Sequence, residues 1–253
     1  MVKLSEIKEK ILGIFEAGIL KDTTWEYGFK FDFNRPITKI AYATNLTPFT
    51  INKAAEQGAE LLITHHDAWP FMKAQREHCY ALLKQNKINH CFVHTPLDAA
   101  EFGTSHSLAR ELGAKNLKPS VPDDEHGSGL LYGVVAEITP QSFEEFVALC
   151  EKVLQTKVIH AFKNTDKAIK KICICTGGGN KTTYMDSAID EGCDIYITGE
   201  YGMYMQHYAE FHKLNLIIGG HTRTEIIGVR NFVQEILKGL PIVATYEIEE
   251  PNY

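Results

Sequence analysis

The chain has 253 residues, of which 44% are hydrophobic and 23% charged, and its formal net charge is −6. That length buries a substantial core, as one unit or as two small lobes. A mildly acidic balance argues against general nucleic-acid binding, which needs clustered Lys and Arg for its phosphate contacts, and no apolar run approaches the ~20 residues of a membrane helix.

Six cysteines are present, Cys79, Cys91, Cys150, Cys173, Cys175 and Cys193, and none forms a C-x-x-C pair. The first residues, MVKLSEIKEK, lack signal-peptide character. Together these features predict reduced core cysteines in a cytoplasmic protein with no membrane partner.

Residues 4–17 carry Leu4, Ile7, Ile11, Ile14 and Phe15 at helical spacing. A strand is predicted at 37–43, then a helix at 48–57 with Pro48 in its first turn. A short apolar strand at 60–64 runs into His65-His66, followed by a helix at 72–86, a strand at 88–94 and a short helix at 105–112 stopped by Gly113. Residues 119–129, PSVPDDEHGSG, have the composition of a linker. A second series follows: strand 130–138, helix 142–154, strand 168–175, a Gly177-Gly178-Gly179 turn, helix 182–191 and strand 194–198. It ends with a helix at 203–213, a strand at 215–218, a helix over about 222–238 and a strand at 242–246. Strands alternating with helices predict an α/β fold, and the two halves share one scheme, as an internal duplication would produce.

Three segments carry candidate chemistry, each just past a strand end, where α/β folds place their sites. They are Leu-Ile-Thr-His65-His66, Val-His94-Thr-Pro-Leu-Asp98 and Gly219-Gly220-His221-Thr222-Arg223-Thr224-Glu225. In a helix that begins at His221, His221 and Glu225 face the same way. Any one of these histidines alone reads as a hydrogen-bonded core residue, and Asp98 as a turn or cap residue. Jointly, imidazoles and carboxylates select divalent zinc, iron or manganese. Five side chains leave open positions on two ions, the pattern of a catalytic centre, where two metals about 3.5–4 Å apart activate water together. Glu225, with two oxygens, is the natural bridge.

The triple glycine offers a phosphate cradle or, more simply, a tight turn. Glu200 reads as an acid behind a ligand, a general base or a helix-start residue. Asp67 and Trp69 are expected to line the cleft, with Trp69 as a stacking face.

The order and spacing of His65-His66, His94-Thr-Pro-Leu-Asp98-Ala-Ala, Gly177-Gly178-Gly179, Thr198-Gly199-Glu200 and Gly220-His221-Thr222-Arg223-Thr224-Glu225 resemble the Nif-three-like family (Ngg-interacting-factor-three-like proteins). Bacterial members are often labelled type 2 GTP cyclohydrolase I. The resemblance spans nearly the whole chain. It implies one Nif-three-like unit over 1–253, made of two similar, interlocked α/β lobes of about 1–125 and 126–253. It also implies a dinuclear metal site in the cleft between the lobes, and a homohexameric ring. By that likeness His65, His66, Asp98, His221 and Glu225 match the metal ligands, and His94 matches a histidine near the metals. Two positions depart from the family pattern. Trp25-Glu26-Tyr27-Gly28 stands where the family usually has Asp-Asn-x-Gly, and Tyr204 stands where it often has His.

The reading that follows is a hydrolase with two divalent ions per chain, acting on a nucleotide or another small phosphorylated substrate in the manner of a GTP cyclohydrolase, with His94 and Glu200 moving protons. The alternative is a non-enzymatic metal-binding or partner-binding hexameric scaffold. Nucleic acid is not an expected partner.

Overall fold

The structure is a computed structural model that describes residues 2–15, 17–122 and 129–251. The chain divides into two compact units, Met1–Ala100 with Val229–Pro251, and Glu101–Gly228. The lobe boundary expected near 125 falls outside the described residues.

The first unit opens with helices α1 (Leu4–Ile14) and α2 (Ala17–Asp22). Its sheet comprises β1 (Tyr27–Lys30), β2 (Lys39–Asn45), β3 (Leu61–His66), β4 (Asn89–Val93) and β11 (Ala244–Glu247), in the order β1-β4-β3-β2-β11. β2, β3, β4 and β11 run parallel, and β1 pairs antiparallel with β4 at the edge. Helices α3 (Pro48–Glu56) and α4 (Lys73–Asn86) link the parallel strands. Thr47 caps α3, accepting a hydrogen bond from the Thr50 amide, with Pro48 at the first helical position. Every residue of β3 and of β4 is buried. This is why their apolar residues, Leu61–Ile63 and Cys91–Val93, run consecutively with no alternation. Ile51, Leu62, Cys79, Leu83 and Ile248 belong to one core cluster.

The second unit holds α6 (Thr104–Glu111), β5 (Lys115–Pro122), β6 (Leu131–Gln141), α7 (Phe143–Leu154), β7 (His160–Phe162) and β8 (Ile169–Cys175). α8 (Thr182–Asp190), β9 (Ile195–Thr198), α9 (Met205–His212) and β10 (Asn215–Ile218) complete it. The strand order is β5-β6-β8-β9-β10-β7, with β8, β9 and β10 parallel. Each unit is therefore built around parallel strands with an antiparallel edge. Helix α5 (Thr95–Ala99) follows β4 in the first unit, and α10 (His221–Leu237) follows β10. Cys173 and Cys175 pack in the core cluster of the second unit, and all six cysteines are free. Among the described residues no helix is long and apolar enough to cross a membrane.

The elements that sequence periodicity did not reveal are α2, β1, α5, β5 and β7. β1, β5 and β7 are edge strands, and an edge strand buries too little to need an apolar pattern. β5 takes up residues 115–122 of what reads as loop and linker, and its two prolines are tolerated because its only neighbour is β6. Residues 123–128 of that linker lie outside the described residues.

The buried Glu250 ties the C-terminal segment to the end of β2. Its carboxylate accepts the amides of Thr44 at 2.6 Å and Asn45 at 3.2 Å, and the Asn45 side chain at 3.0 Å. Truncation would strand these donors away from water. Glu250→Ala is expected to lower the unfolding free energy by about 2–3 kcal/mol, read by urea denaturation. A loss below about 0.5 kcal/mol would show that water replaces the carboxylate without cost.

Candidate metal centre

In the first unit the site grows from two strand ends. β3 finishes at His65-His66 and β4 delivers His94, both at the carboxyl end of parallel strands. Ideal pleating would send adjacent side chains to opposite faces, yet the His65 and His66 rings lie 4.6 Å apart at the end of the strand. Pro96 starts the short helix α5, which carries Asp98 one turn beyond His94. Asp98 Oδ1 is 3.3 Å from His65 Nε2, and Asp98 Oδ2 is 4.0 Å from His94 Nε2. One ring nitrogen each from His65, His66 and His94 lie within 4.8 Å of one another.

The tautomers follow from what stands behind each ring. His65 Nδ1 is 2.9 Å from the Val93 carbonyl oxygen, which can only accept, so Nδ1 carries a hydrogen. His66 Nδ1 is 2.8 Å from Asn45 Oδ1. The Asn45 amide is oriented by its own bond to Glu250, so its oxygen faces the ring and His66 Nδ1 donates to it. His94 Nδ1 donates to the carboxylate of buried Glu26, which also accepts from Thr95 Oγ1 at 3.0 Å. Imidazoles fixed at Nδ1 by outer hydrogen bonds, beside the Asp98 carboxylate, are a donor set that suits a divalent ion.

Asp67 does not join this set. It accepts from Tyr80 Oη at 2.7 Å and from the Ala68 amide at 2.9 Å. Burial pulls the His90 imidazole down to about 3, so it is neutral, and it lies 2.8 Å from Thr64 Oγ1. Thr64 in turn donates to the His66 carbonyl at 2.7 Å. This buried network supports the turn that follows the two histidines. The Trp69 ring lies 5.2 Å from His94 and 6.2 Å from His66.

In the second unit, α10 begins at His221 directly after Gly219-Gly220. His221 and Glu225, four residues apart, meet with Nε2 3.2 Å from Oε1. His221 Nδ1 donates to Glu200 Oε1 at 2.6 Å, and Asn180 Nδ2 donates to Glu200 Oε2 at 2.8 Å. Glu200 therefore acts through His221, and that hydrogen bond holds its carboxyl below the usual carboxylate range. Burial alone would depress the His221 pKa, but the Glu225 and Glu200 carboxylates outweigh it and raise the pKa to about 11. A proton held between two carboxylates fills the role that a cation would take.

Two glycines of the triple, Gly177 and Gly179, serve close approach. Gly177, at φ +61°, donates its amide to Thr224 Oγ1 at 3.0 Å, and a Cβ there would sit 1.8 Å from Glu225 Oε1. Gly199 is equally confined, since a Cβ would lie 2.7 Å from both Gly177 O and His221 Cα. The loops after β8 and β9 and the start of α10 are packed at backbone distance.

Sequence reasoning found the ligand-type residues but missed Glu26, Asn45, Glu250 and Asn180, the groups that orient them. Glu26 did leave a signal, since an acid before Tyr27-Gly28 in an otherwise aromatic stretch is unusual for a buried strand start.

The family model of Duf34/NIF3 (NGG1p interacting factor 3) matches residues 2–252. A relative from Haemophilus influenzae named GTP cyclohydrolase 1 type 2 homolog is 32% identical over 211 residues, covering 80% of this chain and 81% of its own. An Escherichia coli protein of the same name is 26% identical over 234 residues, 89% of each chain. Among solved structures, a Bacillus cereus protein related to NIF3 superposes with a TM-score of 0.79 at 17% identity, over 98% of this chain and 96% of the other. Reduced HcgD from Methanocaldococcus jannaschii does so with a TM-score of 0.78 at 23% identity over 98% of both. These structural likenesses bear out the fold.

The crowding at Gly177 is directly testable. Gly177→Ala is expected to lower the unfolding free energy by about 1–3 kcal/mol, from positive φ and collision with Glu225 together. Gly178→Ala, whose Cβ meets nothing within 4 Å, should stay within about 0.5 kcal/mol of the parent. Equal stability of the two variants in thermal unfolding would contradict the packing described.

Proposed function

The chain belongs to the Duf34/NIF3 family, and on that premise we propose that it is a dinuclear-metal hydrolase of a nucleotide or another small phosphorylated molecule. His65, His66 and Asp98 of the first unit and His221 and Glu225 of the second are the proposed ligands of two divalent ions of zinc, iron or manganese. The observation that carries this reading is the clustering of ligand-type atoms: one ring nitrogen each from His65, His66 and His94 lie within 4.8 Å of one another. His65 and His66 each have Nδ1 held by an acceptor, and Asp98 Oδ1 is 3.3 Å from His65 Nε2. The His221–Glu225 pair of the second unit, 3.2 Å apart, is the same kind of donor set.

Bound divalent ions would supply Lewis acidity and a water molecule ionised near neutral pH. The chain's own residues do the rest. Asn45 and Glu250 hold His66, Val93 O holds His65, and Asn180 and Glu200 hold His221. Glu200 is given a positioning role by its contact with His221. The Trp69 ring, beside His66 and His94, offers an apolar wall to the planar part of a substrate. The name shared by the relatives, GTP cyclohydrolase 1 type 2 homolog, makes GTP the first substrate to try. Family likeness also supports a homohexameric ring, and six free cysteines are in keeping with a reducing cytoplasm.

Elemental analysis of the purified protein is expected to find about two divalent ions per chain, lost in a His65→Ala, Glu225→Ala double variant. Metal-loaded protein is expected to convert GTP or another member of a nucleotide and phosphoester panel, followed by chromatography, with conversion abolished in the double variant. Metal binding without any turnover would overturn the hydrolase reading and favour the metal-binding scaffold. Absence of metal under generous supply would overturn both.

A further inference from the structure

His94 stands beside the proposed ligands of the first unit without belonging to that set. Its ring centroid is 5.0 Å from those of His65 and His66, and its Nε2 is 4.0 Å from Asp98 Oδ2. What distinguishes it is the group behind it. Glu26 is 3% exposed and grips His94 twice. Its backbone carbonyl accepts the His94 amide at 2.8 Å, and its carboxylate accepts from Nδ1. The same carboxylate oxygen accepts from Thr95 Oγ1 at 3.0 Å, so it is itself fixed in place. A carbonyl or an amide oxygen backs His65 and His66, whereas a carboxylate side chain backs His94. A carboxylate at Nδ1 fixes the tautomer and makes the opposite nitrogen a stronger donor to a metal.

We propose that Glu26 is a positioning residue that makes His94 a further metal ligand in the first unit, so that this unit contributes three imidazoles and Asp98 to the proposed centre. The inference rests on the metal-binding reading given above. It commits to a carboxylate–histidine–metal relay running from Glu26 Oε2 through the His94 ring.

Zinc affinity is the measurement, taken by titration of the full chain against a chromophoric chelator, with the visible spectrum of the cobalt(II) form as a second readout. Glu26→Leu is expected to weaken zinc binding about 10- to 100-fold. Glu26→Gln, which keeps an acceptor at Nδ1 and loses the charge, should fall between it and the parent. His94→Ala should weaken zinc binding at least as much as Glu26→Leu and change the cobalt spectrum. The deciding arm is the pair of changes together. In a His94→Ala background, Glu26→Leu should cost no further affinity, because Glu26 acts only through that ring. Full zinc affinity in Glu26→Leu, or the same additional loss with and without His94, overturns the relay. Should Glu26→Leu fail to fold by circular dichroism, the Glu26→Gln arm with and without His94 decides in the same way. If the parent chain takes up no zinc or cobalt, the metal reading itself is wrong. If the parent binds and the Glu26 variants are unchanged, only the relay is wrong.

Discussion

The structure turns on the cost of burying an imidazole with the wrong nitrogen protonated. His65 is fully buried and His66 nearly so, and each has a hydrogen-bond acceptor at Nδ1. That acceptor fixes a hydrogen on Nδ1 and the orientation of each ring, and Asp98 offers a carboxylate 3.3 Å from His65 Nε2. A buried imidazole nitrogen beside a carboxylate is favourable only when a proton or a metal ion supplies positive charge between them. His221, placed between Glu200 and Glu225, meets the same demand by holding a proton. The donor sets of both units are thus arranged around positive charge.

The scaffold supplies this arrangement because parallel strands end in register. β3 and β4 terminate side by side, so residues far apart in sequence reach a common rim. In the second unit β8, β9 and β10 do the same for Gly177, Glu200 and His221. Backbone closeness there depends on glycine. The Gly177 amide binds Thr224 Oγ1, and Gly199 lies against both Gly177 and His221 with no room for a side chain. Within the glycine run Gly177 packs against Glu225 and Gly179 against Thr198, while Gly178 has open space around it.

The strands and helices that carry the candidate site residues were legible because they are buried on both faces or are regularly amphipathic. Leu61–Ile63, just before Thr64 and the two histidines, and Leu216–Ile218 before the two glycines are unbroken apolar runs, and each ends at the residues of the candidate site. The His221–Glu225 spacing was legible because a helix of known pitch follows a glycine pair. The family likeness read from these motifs is borne out by the match over residues 2–252. Edge strands were not legible. Their residues, such as His160 and Ala161 of β7 or Pro119 and Pro122 of β5, are exposed and carry no periodic signal. The outer partners were hidden for another reason. Glu26, Asn45 and Glu250 reach the histidines only through tertiary contacts spanning up to 205 residues of sequence, and Glu250 in the sequence looks like any solvated acid. Asp67 misled for the opposite reason. Adjacency to His66 suggested the site, while the fold turns its side chain toward Tyr80.

The central claim is that these side chains were placed to hold metal ions together. Anomalous diffraction from crystals of the metal-loaded protein, recorded on both sides of the metal absorption edge, tests it most directly. Two anomalous peaks per chain about 3.5–4 Å apart are predicted, with His65, His66, Asp98, His221 and Glu225 in contact with them. A single surface-bound peak, or none near these residues, would contradict the account.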